Sequence, residues 1–230
     1  MPLLPFDYHI SHSKRAKRIQ IHVDAAGQVK LVVPKRCHIE QAQQLLIKNQ
    51  AWVLRRQQIA KANRILDPAL DLMQPKEIRL LAIGENWSVN YSQHFNSDFT
   101  TYTLSLNKDS NTNQQLITWL KLHAKNVLNP WLNDVSQRLD ISYNRLSIRQ
   151  QRSRWGSCSQ LGNINLNCNL LFLPKSMVEY LLIHELCHRQ HMNHSKSYWA
   201  LVKHFEPNYK ILDRQLTHAN RFVPLWALPK

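Results

Sequence analysis

Glycine is scarce in this 230-residue chain: only Gly27, Gly84, Gly156 and Gly162 occur, which leaves no place for a Gly-x-Gly-x-x-Gly turn or a phosphate-cradling P-loop. Nucleotide enzymes of those two types are excluded. Cysteine is equally sparse, with Cys37, Cys158, Cys168 and Cys187 forming no Cys-x-x-Cys pair, so a zinc ribbon is excluded and reduced thiols are expected. No apolar run approaches the roughly 18 residues that a membrane span needs. A basic leader followed by a long apolar stretch is also missing from Met1-Pro2-Leu3-Leu4-Pro5, and the expected compartment is the cytoplasm. Acidic residues number only fifteen against thirty Lys and Arg, giving a net charge of +15. Such a field attracts nucleic acid or other polyanions.

What is present is globular in proportion, with 43% hydrophobic and 9% aromatic residues. The length allows one medium domain or two small ones. Basic charge is concentrated early, since residues 1–62 hold eleven basic side chains and three acidic ones. Ile19, Ile21 and Val23 alternate with Gln20 and His22, Val29, Leu31 and Val33 alternate with Lys30 and Val32, and the turn Ala25-Ala26-Gly27 between them predicts a hairpin. A helix is expected over 39–62. Strands follow over 78–91 and 101–106, separated by the polar segment 92–98, and Asp67-Pro68 marks a connection. Leu116, Leu120, His123, Val127, Trp131, Val135 and Leu139 predict a long amphipathic helix over 114–139, with a bend at Pro130. Short strands are expected over 144–149 and 162–170, a helix from Pro174, and helical chain over 196–220 interrupted near Pro207. The fold class is α+β, with a soft boundary near residue 110 between a strand-rich basic part (1–110) and a second domain (111–230).

The most informative segment is His184-Glu185-Leu186-Cys187-His188 within an apolar helical pattern. Histidines four apart lie one above the other on a helix face, so both imidazoles can reach one metal ion at about 2.0–2.1 Å. Glu185 then stands where it can take a proton from water at that ion. Catalytic zinc takes three protein ligands, and His191 and His194 are the candidates for the third. His191, three residues after His188, would crowd the stripe, whereas His194 lies ten residues after His184, beyond a turn for which Asn193 is suited. His194 is the expected ligand. Cys158 and Cys187 are expected to be packed residues. The expected oxyanion partner comes from Arg154, Tyr198 or His191, with Arg154 first. The strand 162–170, which includes Asn165, precedes the metal helix and is expected to pair with an extended substrate as an edge strand.

These residues resemble the YgjP-like metallopeptidases, relatives of the SprT and WLM protease domains. The resemblance rests on Ser13-Lys14-Arg15-Ala16-Lys17-Arg18-Ile19, Ser153-Arg154-Trp155-Gly156-Ser157-Cys158-Ser159, Gly162-Asn163-Ile164-Asn165-Leu166-Asn167, the segment from His184 to His188, and Asn193-His194-Ser195-Lys196-Ser197-Tyr198-Trp199. It implies a zincin-like domain and a zinc-dependent peptidase of the minimal gluzincin type. One Zn2+ would be held by His184, His188 and His194, with Glu185 as base. His191 stands where metzincins of similar spacing carry glycine, which argues against that clan. The expected function is hydrolysis of protein or peptide substrates, with Arg154, Asn165 and Tyr198 as substrate contacts. The alternative is a basic nucleic-acid-associated module, acting through the N-terminal region, with a structural or inactive zinc site. Salt-dependent nucleic-acid affinity without chelator-sensitive proteolysis would favour that alternative.

Overall fold

The computed structural model describes residues 4–23, 27–62 and 72–229, and the chain divides into two compact units, Met1–Ile65 and Leu66–Lys230. Ala25 and Ala26 of the expected hairpin turn, and the Asp67-Pro68 connection, lie outside the described residues.

The first unit contains strands β1 (Tyr8–Ser13), β2 (Gln20–Val23) and β3 (Val29–Pro34) and helices α1 (Ile39–Lys48) and α2 (Gln50–Ala62). β3 is central, parallel to β1 and antiparallel to β2, with Val23 opposite Val29 as the expected hairpin requires. Val29, Leu31 and Val33 point from β3 to one face, where they bury against Ala42 and Leu46 of α1 and Val53 of α2. Each larger aliphatic side chain buried this way contributes roughly 1.5–3 kcal/mol. The single helix expected over 39–62 is instead two. Asn49 divides them, its side-chain amide donating to the Leu45 carbonyl at 2.7 Å, a local bond that competes with helix continuation.

In the second unit, β4 (Glu77–Leu80), β5 (Glu85–Ser92), β6 (Asn96–Asp98) and β7 (Thr103–Asn107) form a sheet ordered β4-β5-β7-β6, with β5 and β7 parallel. The strand expected over 78–91 therefore folds back as a hairpin, around a turn in which Gly84 has φ +70°, a backbone region that glycine enters without steric penalty. The polar segment 92–98 carries the edge strand β6. Helix α3 (Thr112–Leu139) starts at Asn111, whose side chain accepts from the Gln114 N–H at 3.0 Å, and it continues as one helix through Pro130. Leu116, Leu120, Ala124, Leu128, Leu132, Val135 and Leu139 form its buried stripe. They share one core with Ile78, Leu80, Trp87, Val89, Leu104 and Leu106 of the sheet, so the boundary expected near residue 110 falls inside this unit.

A second sheet, ordered β8-β10-β9, comprises β8 (Arg145–Arg149), β9 (Gly156–Cys158) and β10 (Asn163–Asn167). Strand β10 is not an edge. It lies between parallel β8 and antiparallel β9, so both its hydrogen-bonding sides are used, and the outer strand beside the metal helix is β9. A 3₁₀ turn (Cys168–Phe172) leads to α4 (Lys175–Cys187), buried on all sides by Met177, Val178, Tyr180, Leu181, Leu182, Ile183 and Leu186. Helices α5 (Lys196–Phe205) and α6 (Tyr209–Thr217) follow, interrupted at Pro207 as expected. The class is α+β. Among the described residues no helix is long and apolar enough to cross a membrane.

Candidate metal centre

Helix α4 places Tyr180, His184 and His188 on one face at four-residue steps, and the two histidine rings stand 5.0 Å apart. After Cys187 the helix tightens: the N–H groups of Gln190 and His191 both donate to the Cys187 carbonyl at 3.1 Å. The chain then runs to Ser195, whose hydroxyl accepts from the Tyr198 N–H and caps α5. Within this return His194 comes back over α4. Its Nε2 lies 3.3 Å from Nε2 of His184, and the ring nitrogens of His184, His188 and His194 all fall within 4.8 Å of one another. The turn forms without a left-handed Asn193: among the described non-glycine residues only Tyr102 and Asp140 have positive φ. His191 contributes its carbonyl rather than its ring.

Each ring is oriented from behind. The Tyr180 hydroxyl donates to Oδ1 of Asp213 at 2.8 Å and sits 3.3 Å from Nδ1 of His184. With its own proton committed to Asp213, the hydroxyl accepts from Nδ1–H, which leaves the Nε2 lone pair directed at the cluster. Nδ1 of His188 makes the equivalent bond to the His191 carbonyl at 3.1 Å. Tyr198 stacks on His188 at 4.6 Å while its hydroxyl donates to the His184 carbonyl at 3.1 Å. Trp199 stacks on His194 at 5.4 Å and is itself backed by Tyr209.

Electrostatics prepare these groups as ligands. Burial pushes His184 down to about 3, helped by the neighbouring His188 and His194, and burial also lowers His188. Neutral imidazoles are the ligand form. Glu185 is 4% exposed, and burial raises its carboxyl to about 8 although the Arg154 charge pulls the other way. Its Oε2 has no hydrogen-bond partner, an expensive state that a cation or a water at the cluster would relieve. Two ligands about 2.0–2.1 Å from a tetrahedral ion stand roughly 3.3–3.4 Å apart. The His184–His194 separation of 3.3 Å meets that requirement, so this donor set fits zinc.

The metal-free chain should show a pH signature. Glu185, held near 8 against an ordinary 4.5, keeps its proton when folded while the unfolded chain loses it, so its contribution to stability falls as pH rises through that window. His184, at about 3 against 6.5, acts in the opposite sense: the unfolded chain takes up a proton that the folded one refuses, and stability rises across its window. Glu185→Gln removes only the first effect. Urea denaturation of metal-free protein should therefore show the variant gaining on wild type from about pH 5 to 8, by on the order of a few kcal/mol. A constant difference would mean that Glu185 is already ionised at pH 5.

A match to the family described as YgjP-like, metallopeptidase domain, runs over residues 17–219 and so contains the whole cluster. The chain belongs to this family. Among solved structures it is similar to the crystal structure of the metallopeptidase zymogen of Pyrococcus abyssi abylysin, with 28% identity over 40% of this chain and 93% of that one, at a TM-score of 0.36. No curated protein matches.

In this YgjP-like metallopeptidase, β9 packs against helix α4 beside Glu185. A Cβ on Gly156 would stand 2.4 Å from Oε1 of Glu185, so the absent side chain is what admits the carboxylate. The buried Asn167 amide donates to the carbonyls of Gln151 and Arg154, and Trp155 Nε1 donates to the Leu216 carbonyl, which together pin the loop before β9. Beside it opens a cavity of about 310 Å³ lined by Arg152, Arg154, Trp155, Asp213 and Asn220. Of the expected substrate contacts, Arg154 is exposed and its charge reaches Glu185. Asn165 bridges Arg149 of β8 and Ser157 of β9. Tyr198 is fully buried with its hydroxyl bonded to backbone, which gives it a positioning role. The sequence gives no role to Gly156, although it stands in the segment Ser153–Ser159, and does not point to Tyr180 or Asp213. Tyr180, one helical turn before His184, was detectable, but nothing in the sequence marks Asp213. Burial raises Cys158 to about 11 and Cys187 to about 12, so both are thiols at neutral pH.

Proposed function

We propose that this metallopeptidase is a zinc endopeptidase of the His-Glu-x-x-His type, with His184, His188 and His194 holding one zinc ion and Glu185 serving as general base. The observation that carries this reading is the buried, unpartnered Oε2 of Glu185 beside three convergent imidazoles. Bound zinc would lower the pKa of a coordinated water to about 7 and polarise the scissile carbonyl. Glu185 takes the proton of the attacking water and delivers it to the departing amine. Asp213, through Tyr180, keeps His184 in the tautomer that faces the ion, and the His191 carbonyl does the same for His188. The outer strand β9 would offer an extended peptide main-chain hydrogen bonds, and Arg154, whose charge acts on Glu185, would contact the substrate carbonyl. The four free cysteines fit a reducing, cytoplasmic setting.

The alternative is a basic binding module with a structural or inactive zinc site, and a structural site calls for a closed set of four protein ligands. Among the described residues the cluster offers three histidines and leaves a corner open next to a carboxylate, which favours catalysis. Metal analysis should find one zinc per chain. Cleavage of casein should stop when a chelator removes the ion and return when zinc is restored. Equal cleavage by metal-free protein would overturn the reading.

A further inference from the structure

The first unit, Met1–Ile65, gathers two basic runs that are separate in sequence. Strand register brings them together: Ser13, the last residue of β1, pairs with Pro34, the last of β3, and Gln20, the first of β2, pairs with Val32. The run Lys14-Arg15-Ala16-Lys17-Arg18, which joins β1 to β2, and the turn Lys35-Arg36, which follows β3, therefore emerge side by side at one end of the sheet. Both are pinned. The Ser13 hydroxyl accepts from the N–H groups of Arg15 and Ala16 at 3.2 and 3.1 Å, and the Cys37 N–H donates to the Pro34 carbonyl at 3.0 Å.

Lys14, Arg15, Lys17, Arg18, Lys35 and Arg36 are all exposed, and none has an ion-pair partner among the described residues. Asp7 lies at the opposite end of the sheet, next to the Tyr8–Val29 pair, so Glu40 in the first turn of α1 is the acidic residue nearest in sequence to the cluster. The sheet face turned away from the helices continues the pattern, with His9, Lys30 and His22 aligned across β1, β3 and β2. Six exposed cations at one end of the sheet, without ion-pair partners among the described residues, match a ligand that carries closely spaced negative charges along its length.

We propose that this end of the sheet binds the phosphodiester backbone of nucleic acid, a second site separate from the metal centre. Contacts of this type read charge rather than base sequence, so affinity would be similar across sequences and steeply dependent on salt.

The test is fluorescence anisotropy of the full chain with a labelled 20-base-pair DNA duplex and with a labelled 20-nucleotide RNA, from 50 to 200 mM KCl. With six phosphates neutralised on the duplex, the log–log salt slope should approach about −5. Lys35→Gln with Arg36→Gln should reduce its magnitude by about 2, and so should Lys14→Gln with Lys17→Gln. Lys48→Gln with Arg55→Gln, on exposed positions of the helices, should leave it unchanged, as should Glu185→Gln, which separates this site from the peptidase reading. Circular dichroism verifies that each variant is folded. The two nucleic-acid arms show which polymer is the better ligand. Unchanged slopes in both pairs at the sheet end, an equal loss in the helix pair, or binding to heparin but to neither nucleic acid would each overturn the proposal.

Discussion

Glu185→Gln should lower the rate of casein hydrolysis by about 10²–10⁴-fold, the range by which a positioned general base accelerates proton transfer, while zinc content stays at one per chain. The substitution is nearly isosteric, so the buried pocket around residue 185 keeps its shape. The amide cannot accept a proton from water. Metal retention is expected because the three imidazole nitrogens gather without help from the carboxylate: Tyr180 with Asp213 orients one, the His191 carbonyl a second, and Trp199 stacks on the third. His184→Ala provides the contrast, since it should lose metal and activity together. The measurement pairs initial rates with atomic absorption on the same samples. Hydrolysis within tenfold of wild type at unchanged zinc content would remove Glu185 from the role of base.

The parts of this site legible in the sequence are those fixed by local geometry. The spacing of His184, Glu185 and His188 needs only a helix to become meaningful, and the apolar run from Met177 to Leu186 supplies it. His194 is legible from its spacing, ten residues after His184 and past a turn, and because His191 would crowd the stripe. Local pattern carries no information on strand order. The alternation of Ile164 and Leu166 announces a strand, yet whether β10 lies at an edge or in the centre depends on partners that arrive from residues 145–149 and 156–158. The three-residue strand β9 has no periodicity to detect. Nor did composition place the division of the chain: the strands before residue 110 are polar on alternate positions, and only the packing of Trp87 and Leu104 against α3 shows which core they join. Tyr198, a polar aromatic near the motif, has the chemistry of a substrate contact in the sequence alone. Its burial is set by α5 folding back over α4, a tertiary fact.

Gly156→Ala is the sharpest test of how the second sheet and the metal helix cooperate. Gly156 does not require a left-handed backbone, so alanine is acceptable to the strand itself, and the whole effect should come from one methyl group. That methyl would stand 2.4 Å from Oε1, 2.8 Å from Cδ and 2.9 Å from Cγ of Glu185. Ordinary contacts with carbon begin near about 3.5 Å, so the carboxylate must retreat by roughly 1 Å. An exposed glutamate would swing aside at little cost, but Glu185 is buried, and its displacement moves the proton acceptor away from the attacking water. A misplacement of that size costs about 10²-fold in kcat/KM. Zinc content should be unchanged, because the atoms nearest to the added methyl belong to Glu185 and not to the three imidazoles, and the thermal midpoint should drop only slightly. Full activity in this variant would show that the carboxylate has slack and that β9 does not set its position. A loss confined to kcat, with zinc retained, would identify the bare backbone of β9 as the surface against which the base is aimed.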